Sequence, residues 1–270
     1  MSEPRDFELN SFEEFEQKIL KIMTKPAKTG LKISDVLFRG HSDSTWKLET
    51  TLERATNKRD VSLLEYYNVI NRIKPEIESR TTETINIPTC SNYAHYLASW
   101  PNSSKSSWYP KSTPELIQYF TYLRHHGFPS PLLDWTTSSY VALYFAFKDA
   151  MPGNRVAVYA FREYNGNSKV SGGMKVDVIG PYIRTHIRHF QQQSQYTVCF
   201  SKNNGNPKYE SHDAVISTTT THNYNLLWKI TLPGSIRTEV MAKLNLMNIN
   251  DYSLFGTEES LMNTLAAKEL

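Results

Sequence analysis

The chain has 270 residues, 30 Lys and Arg against 27 Asp and Glu for a formal charge of +3, and 39% hydrophobic residues. That is a globular composition, long enough for one large domain or two small ones with a full core, and too mildly basic for nucleic-acid binding to be argued from total charge. Two cysteines, Cys90 and Cys199, are too few for a disulfide framework and fit no zinc spacing, and the longest apolar run, Tyr140 to Phe147, is far short of the roughly 20 residues a membrane-spanning helix needs.

The N-terminal residues MSEPRDFELN show no signal-peptide pattern, so a cytoplasmic protein is expected. Asn10 and Ser11 followed by Glu14 form a capped helix start, and Phe12, Phe15, Ile19 and Ile22 then recur at three- and four-residue spacing to about Met23. Asp35 to Arg39 is an apolar run ending in Arg-Gly-His, which predicts a strand running into a loop at Gly40. Ser62 with Glu65 opens a second helix, expected to be interrupted near Pro75. Residues 99–114 are rich in Ser and Pro and predict an exposed loop or lid. Thr113, Pro114 and Glu115 start a third helix that Gly127 ends.

A Thr/Ser cluster at 136–139 caps a helix from about Tyr140 to Asp149 that is apolar nearly all round and must therefore be central. Arg155 to Phe161, Tyr196 to Phe200 and Leu226 to Leu232 are β-branched and aromatic runs between Gly/Asn loops, and predict strands. Ser235 is expected to cap a helix through about Met247, and Leu261 to Lys268 to make the last one. With no internal repeat and no long linker, the pattern predicts a single α+β domain.

Four clusters stand out in order: Phe38-Arg39-Gly40; Trp46-Lys47-Leu48 with Arg54; His125 to Phe147, containing HHGFPSPLLDWTTSSY; and Arg188 with Gln192 and Tyr196. In order and spacing they resemble the FRG-domain family, over about residues 31–262, leaving a helical segment at 1–30 and a tail at 263–270. More remotely, an apolar strand ending in Arg-Gly, then a Ser/Thr cluster before a buried Ala-x-x-Phe helix, then short strands, is similar in layout to the ADP-ribosyltransferase fold. That resemblance implies a mostly antiparallel, split β-sheet core flanked by helices, NAD as substrate, and a macromolecular acceptor, nucleic acid ahead of protein. It also implies a bacterial toxin or phage-defence role, with an antitoxin or immunity protein as partner.

Cleaving the nicotinamide–ribose bond passes through an oxocarbenium-like cation, which calls for a pyrophosphate clamp, a nicotinamide slot and a carboxylate or amide at the ribose. Arg39 would anchor NAD, and Gly40 would let the ligand approach the backbone; Arg39 could equally pair with Asp134 to hold the fold. Asp134, between an apolar run and a Trp, reads as a buried carboxylate that is catalytic or structural. Trp135, Thr136 and Tyr140 would shape the nicotinamide pocket, the aromatics alternatively packing in the core. Glu259, Glu239 or Gln192 would supply the ribose contact. His126 borders the cofactor site or caps its helix end.

Between Val178 and Tyr209 there is no acid, while Arg184, Arg188, Lys202 and Lys208 alternate with aromatics, the composition of a single-stranded nucleic-acid face or of an ordinary solvated one; Arg188 and Gln192 could instead line the ligand pocket. Two rivals to the transferase stay open: a nucleotide or nucleic-acid binding module without catalysis, and a metal-dependent nuclease using Asp134 with His126.

Overall fold

The computed structural model describes residues 5–24, 34–58, 60–99, 113–164, 175–180, 187–203, 206–219 and 224–269. The expected loop or lid at 99–114 lies almost wholly outside them. Eight strands form one mixed sheet: β1 (Asp6–Glu8), β2 (Val36–His41), β3 (Leu133–Thr136), β4 (Arg155–Tyr164), β5 (Lys175–Ile179), β6 (Ser194–Asn203), β7 (Asn206–Tyr209) and β8 (Tyr224–Pro233). Their order is β1-β8-β4-β2-β3-β6-β5, with β7 also on β6, and every pairing is antiparallel except β1 with β8.

The architecture is α+β. The sheet is connected rather than split, but its two halves are barely joined. β2 makes six rungs with β4 and β3 makes four with β6, whereas β2 and β3 share the single rung Phe38 to Thr136.

Alternation along the strands assigns the cores. Val36 and Phe38 of β2 and Val156, Val158 and Ala160 of β4 face α1 (Phe12–Met23), α6 (Ser139–Phe147) and α9 (Arg237–Leu246). Tyr196, Val198 and Phe200 of β6 face α3 (Leu63–Arg80), α4 (Cys90–Ser99) and α5 (Pro114–His125). The intervening residues, Leu37, Trp135, Phe161 and Cys199, make a third core on the opposite face with Val215 and Ile216 of α8 (His212–Thr219). Short helices α2 (Thr51–Thr56), α7 (Ile187–Gln191) and α10 (Asp251–Phe255), and the terminal α11 (Glu258–Glu269), complete the fold.

The α1 cap forms as expected, with Ser11 accepting from the Glu14 amide at 3.2 Å and Glu14 reaching back to the Asn10 amide at 2.8 Å. α6 is central and begins where Ser138 accepts from the Val141 amide. Its Ala142 and Ala146, one turn apart, let β2 approach so closely that a Cβ on Gly40 would lie 1.9 Å from the Ala142 carbonyl oxygen. Several boundaries differ from expectation: β2 continues through Gly40 to His41, where its rungs with β4 hold it, and α11 begins at Glu258 rather than Leu261. α3 runs straight through Pro75, which sits on the exposed face where the acceptor left without an N–H can be hydrated. Ser235 lies in a 3₁₀ turn, Gly234–Ile236, and α9 starts two residues later without a side-chain cap.

Candidate functional site

A cleft of about 900 Å³ opens where β2 and β3 part. Continuing the antiparallel register beyond Phe38 and Thr136 would set Gly40 against Asp134, yet no such rung forms. The Arg39 side chain bridges the gap instead: Nη1 donates to the Asp134 main-chain oxygen at 2.7 Å and Nε donates to His41 Nε2 at 2.9 Å. Neutral His41 therefore carries its proton on Nδ1. Nη2 of Arg39 has no hydrogen-bond partner among the described residues.

Three more guanidinium groups line the same cleft: Arg54 of α2, Arg124 of α5 and Arg188 of α7. Arg54 Nη1 donates to the Glu49 carbonyl at 2.7 Å, and Arg188 lies over the Phe255 ring, 5.6 Å from its centroid. Arg124 forms an ion pair with the Asp134 carboxylate. Burial, together with the positive charges of Arg124 and Arg54, pushes Arg39 down to about 10, against the attraction of Asp134. Arg39 is still charged at neutral pH, and an anion in the cleft would offset the repulsion among these groups.

Thr136, Gln192, Ser194 and Tyr196 also line the cleft. The Tyr196 hydroxyl sits between His125 Nε2 at 2.8 Å and His189 Nδ1 at 3.1 Å. Gln192 Nε2 donates to the Leu254 carbonyl at 3.1 Å, which leaves its Oε1 as an acceptor. Thr136 Oγ1 accepts from the Ser138 amide and so fixes the turn into α6.

The residues nominated from sequence separate into two groups. Arg39, Gly40, Asp134, Trp135, Thr136, Gln192 and Arg188 come together at the cleft. The Arg39 bond to Asp134 goes to its main chain, not its carboxylate. Gly40 is glycine because of its contact with the α6 backbone, and Trp135 is committed to the core, its indole N–H donating to Thr197 Oγ1.

The others stand elsewhere. Tyr140 donates to Glu16 at 2.7 Å and stacks near Phe12 of α1. Glu239 is exposed on α9 and paired with Lys243, and Glu259 is exposed on α11, neither of them lining the cleft. Lys208 pairs with Asp60, while Arg184 and the Lys202 side chain lie outside the described residues. His126 is exposed at the end of α5, in a smaller depression beside Tyr122, so Asp134 and His126 are not brought together in the cleft. No group of three or more potential metal-ligating side chains occurs among the described residues, and no helix among them is long and apolar enough to cross a membrane.

Arg54, Arg124, His125 and Trp46 are not among the site residues suggested by the sequence. Arg54, His125 and Trp46 stand inside the clusters that carry the resemblance, and Arg124 directly precedes one of them; only the fold brings them to the same cleft as Arg39.

No curated protein and no solved structure matches this chain. A family model does. It covers residues 34–155, from just before β2 to the first residue of β4, and takes in Arg39, Arg54, Arg124 and Asp134. The model is that of the FRG domain, and residues 34–155 are what this chain shares with it.

Proposed function

We propose that the cleft binds NAD through its pyrophosphate and that the protein transfers ADP-ribose to a macromolecular acceptor, nucleic acid rather than protein. The observation that carries this reading is the convergence of Arg39, Arg54, Arg124 and Arg188 on one cleft, with Nη2 of Arg39 unpartnered among the described residues. Guanidinium forks match phosphate oxygens in a way that single ammonium groups do not. A volume of about 900 Å³ falls inside the range of small-molecule sites and accommodates a dinucleotide.

Within this reading, Arg39 and Arg54 hold the pyrophosphate and the Gln192 amide oxygen accepts from a ribose hydroxyl. Asp134 lines the same cleft, and its pairing with Arg124 holds both side chains there. Nicotinamide leaves with the electron pair of its bond to the ribose, the sugar carbon is left electron-poor, and the acceptor's lone pair forms the new bond as its proton passes to water.

One observation favours a second reading, a binding module without catalysis. Glu239 and Glu259 stand away from the cleft, and Gln192 has no charge with which to offset a cation. Labelled NAD incubated with separate DNA, RNA and protein pools decides between the two, using wild type beside Arg39→Ala and Arg39→Lys. Transfer of label by wild type that is lost in both variants, with their unfolding transitions still cooperative, supports the transferase. Binding of NAD with no nicotinamide release selects the second reading, and absence of NAD binding refutes both.

A further inference from the structure

We propose that Trp46 is the platform on which the base of a bound nucleotide stacks, its phosphates lying on Arg39 and Arg54; this rests on the reading of the cleft as a nucleotide site and assigns one end of the ligand within it. Among the described aromatic side chains that line the cleft, Trp46 is the exposed one, at 55%. Trp135 and Tyr196 are buried at 3% and 1%. Phe145 packs edge-on against Tyr144 and Phe255, at 5.5 and 6.1 Å, and Phe255 is already covered by Lys148 and Arg188.

The backbone under Trp46 is held by hydrogen bonds while its ring is exposed. Its amide donates to the Asp43 carbonyl at 3.3 Å and its carbonyl accepts from the Tyr159 hydroxyl at 3.2 Å. Asp43 in turn accepts from both the amide and the hydroxyl of Thr45, at 2.8 and 2.7 Å, which closes the turn. The indole leans on His41, 6.2 Å between centroids, and His41 is the residue that receives Arg39 Nε. One short segment thus presents a rigidly based aromatic face beside the phosphate-binding guanidinium. A large apolar ring held in water at the mouth of an anion-binding cleft gains most by covering another flat ring.

Calorimetric titration of the full chain with ADP-ribose, ADP and inorganic pyrophosphate tests the assignment on wild type, Trp46→Ala and Trp46→Phe. Trp46→Ala is expected to weaken ADP and ADP-ribose by about 10- to 100-fold, leave pyrophosphate unchanged, and melt with wild type; Trp46→Phe is expected to keep most of the affinity. Equal ADP affinity in wild type and Trp46→Ala overturns the platform but leaves the nucleotide cleft standing, as does wild type binding ADP no more tightly than pyrophosphate. Wild type that binds none of the three probes refutes the cleft reading itself.

Discussion

Replacing Gly40 with Ala tests the packing that shapes the cleft. The added Cβ would stand 1.9 Å from the Ala142 carbonyl oxygen and 2.6 Å from the Ala146 amide nitrogen, and both atoms belong to the α6 backbone. Ordinary carbon contacts lie near 3.5–4.0 Å, so relief requires the helix as a whole to move by about 1 Å or more. α6 has little room to do so, because Val141, Ala142, Leu143, Tyr144, Ala146 and Phe147 are all buried. Overpacking a core typically costs about 1–3 kcal/mol, and a clash with main chain rather than a rotatable side chain belongs at or above the upper end. A loss of about 3 kcal/mol corresponds to a fall of roughly 6–12 °C in Tm for a chain of this size. Urea unfolding of Gly40→Ala beside Gly153→Ala measures it, since Gly153 has nothing within 4 Å of its would-be Cβ. The control should stay within about 0.5 kcal/mol of wild type. If Gly40→Ala does the same, the close approach of β2 to α6 is refuted.

Two further outcomes follow from the charges around the cleft. Asp134→Asn removes the partner of Arg124, and because the pair is partly exposed the loss of stability should not exceed about 1 kcal/mol. With the competing carboxylate gone, pyrophosphate should bind severalfold more tightly by calorimetry; weaker binding would show that Asp134 serves chiefly to hold Arg124 in place. The second outcome concerns pH. Burial first, and the charge of Arg39 second, push His41 and His212 from 6.5 down to about 3. The unfolded chain takes up protons at these groups below pH 6.5 and the folded chain does not, so their effect is flat above that pH and erodes stability as pH falls from 6.5 toward 3. Each contributes a slope of up to about 1.4 kcal/mol per pH unit. Urea midpoints measured between pH 7 and 4 should therefore fall less steeply for His212→Gln than for wild type, and parallel curves would contradict the buried neutral assignment.

The legible parts of the fold are those whose signal is local. α1 carries its cap and its apolar stripe within one stretch, and α6 is apolar on every side, so each could be placed without knowing its neighbours. β4, β6 and β8 are legible at their β-branched centres; β6 and β8 extend further at both ends and β4 at its C-terminal end, where pairing rather than composition continues the strand. β3 was missed because four residues, Leu-Asp-Trp-Thr, are too short for a period to show, and its strand character comes from its four rungs with β6. α4 lacks a strong apolar stripe; Thr89 caps its start by accepting from the Asn92 amide, and Tyr93 and Leu97 bury it against α3. The candidate site followed the same rule. Arg39, Asp134 and Thr136 are marked by strand ends and by a charge set among apolar residues, whereas Arg54, Arg124 and Arg188 meet only through the sheet that brings α2, α5 and α7 around one opening.

That opening and the binding of a ligand share a residue. Where the ladder between β2 and β3 stops after one rung, Arg39 supplies the next hydrogen bond from its side chain and holds the main chain of β3 at Asp134. The same guanidinium spends Nε on His41 and has no partner for Nη2 among the described residues. A lysine has one nitrogen in place of this fork and so could not hold Asp134, His41 and a phosphate at once. Changes at position 39 must therefore alter sheet closure and ligand affinity together. Arg54 separates the two effects, because it is exposed on α2 and its hydrogen bond goes to Glu49 rather than across the gap. The weak join between the two halves of the sheet is thus tied to the cleft, since a full ladder between β2 and β3 would close the space in which the proposed anion site lies.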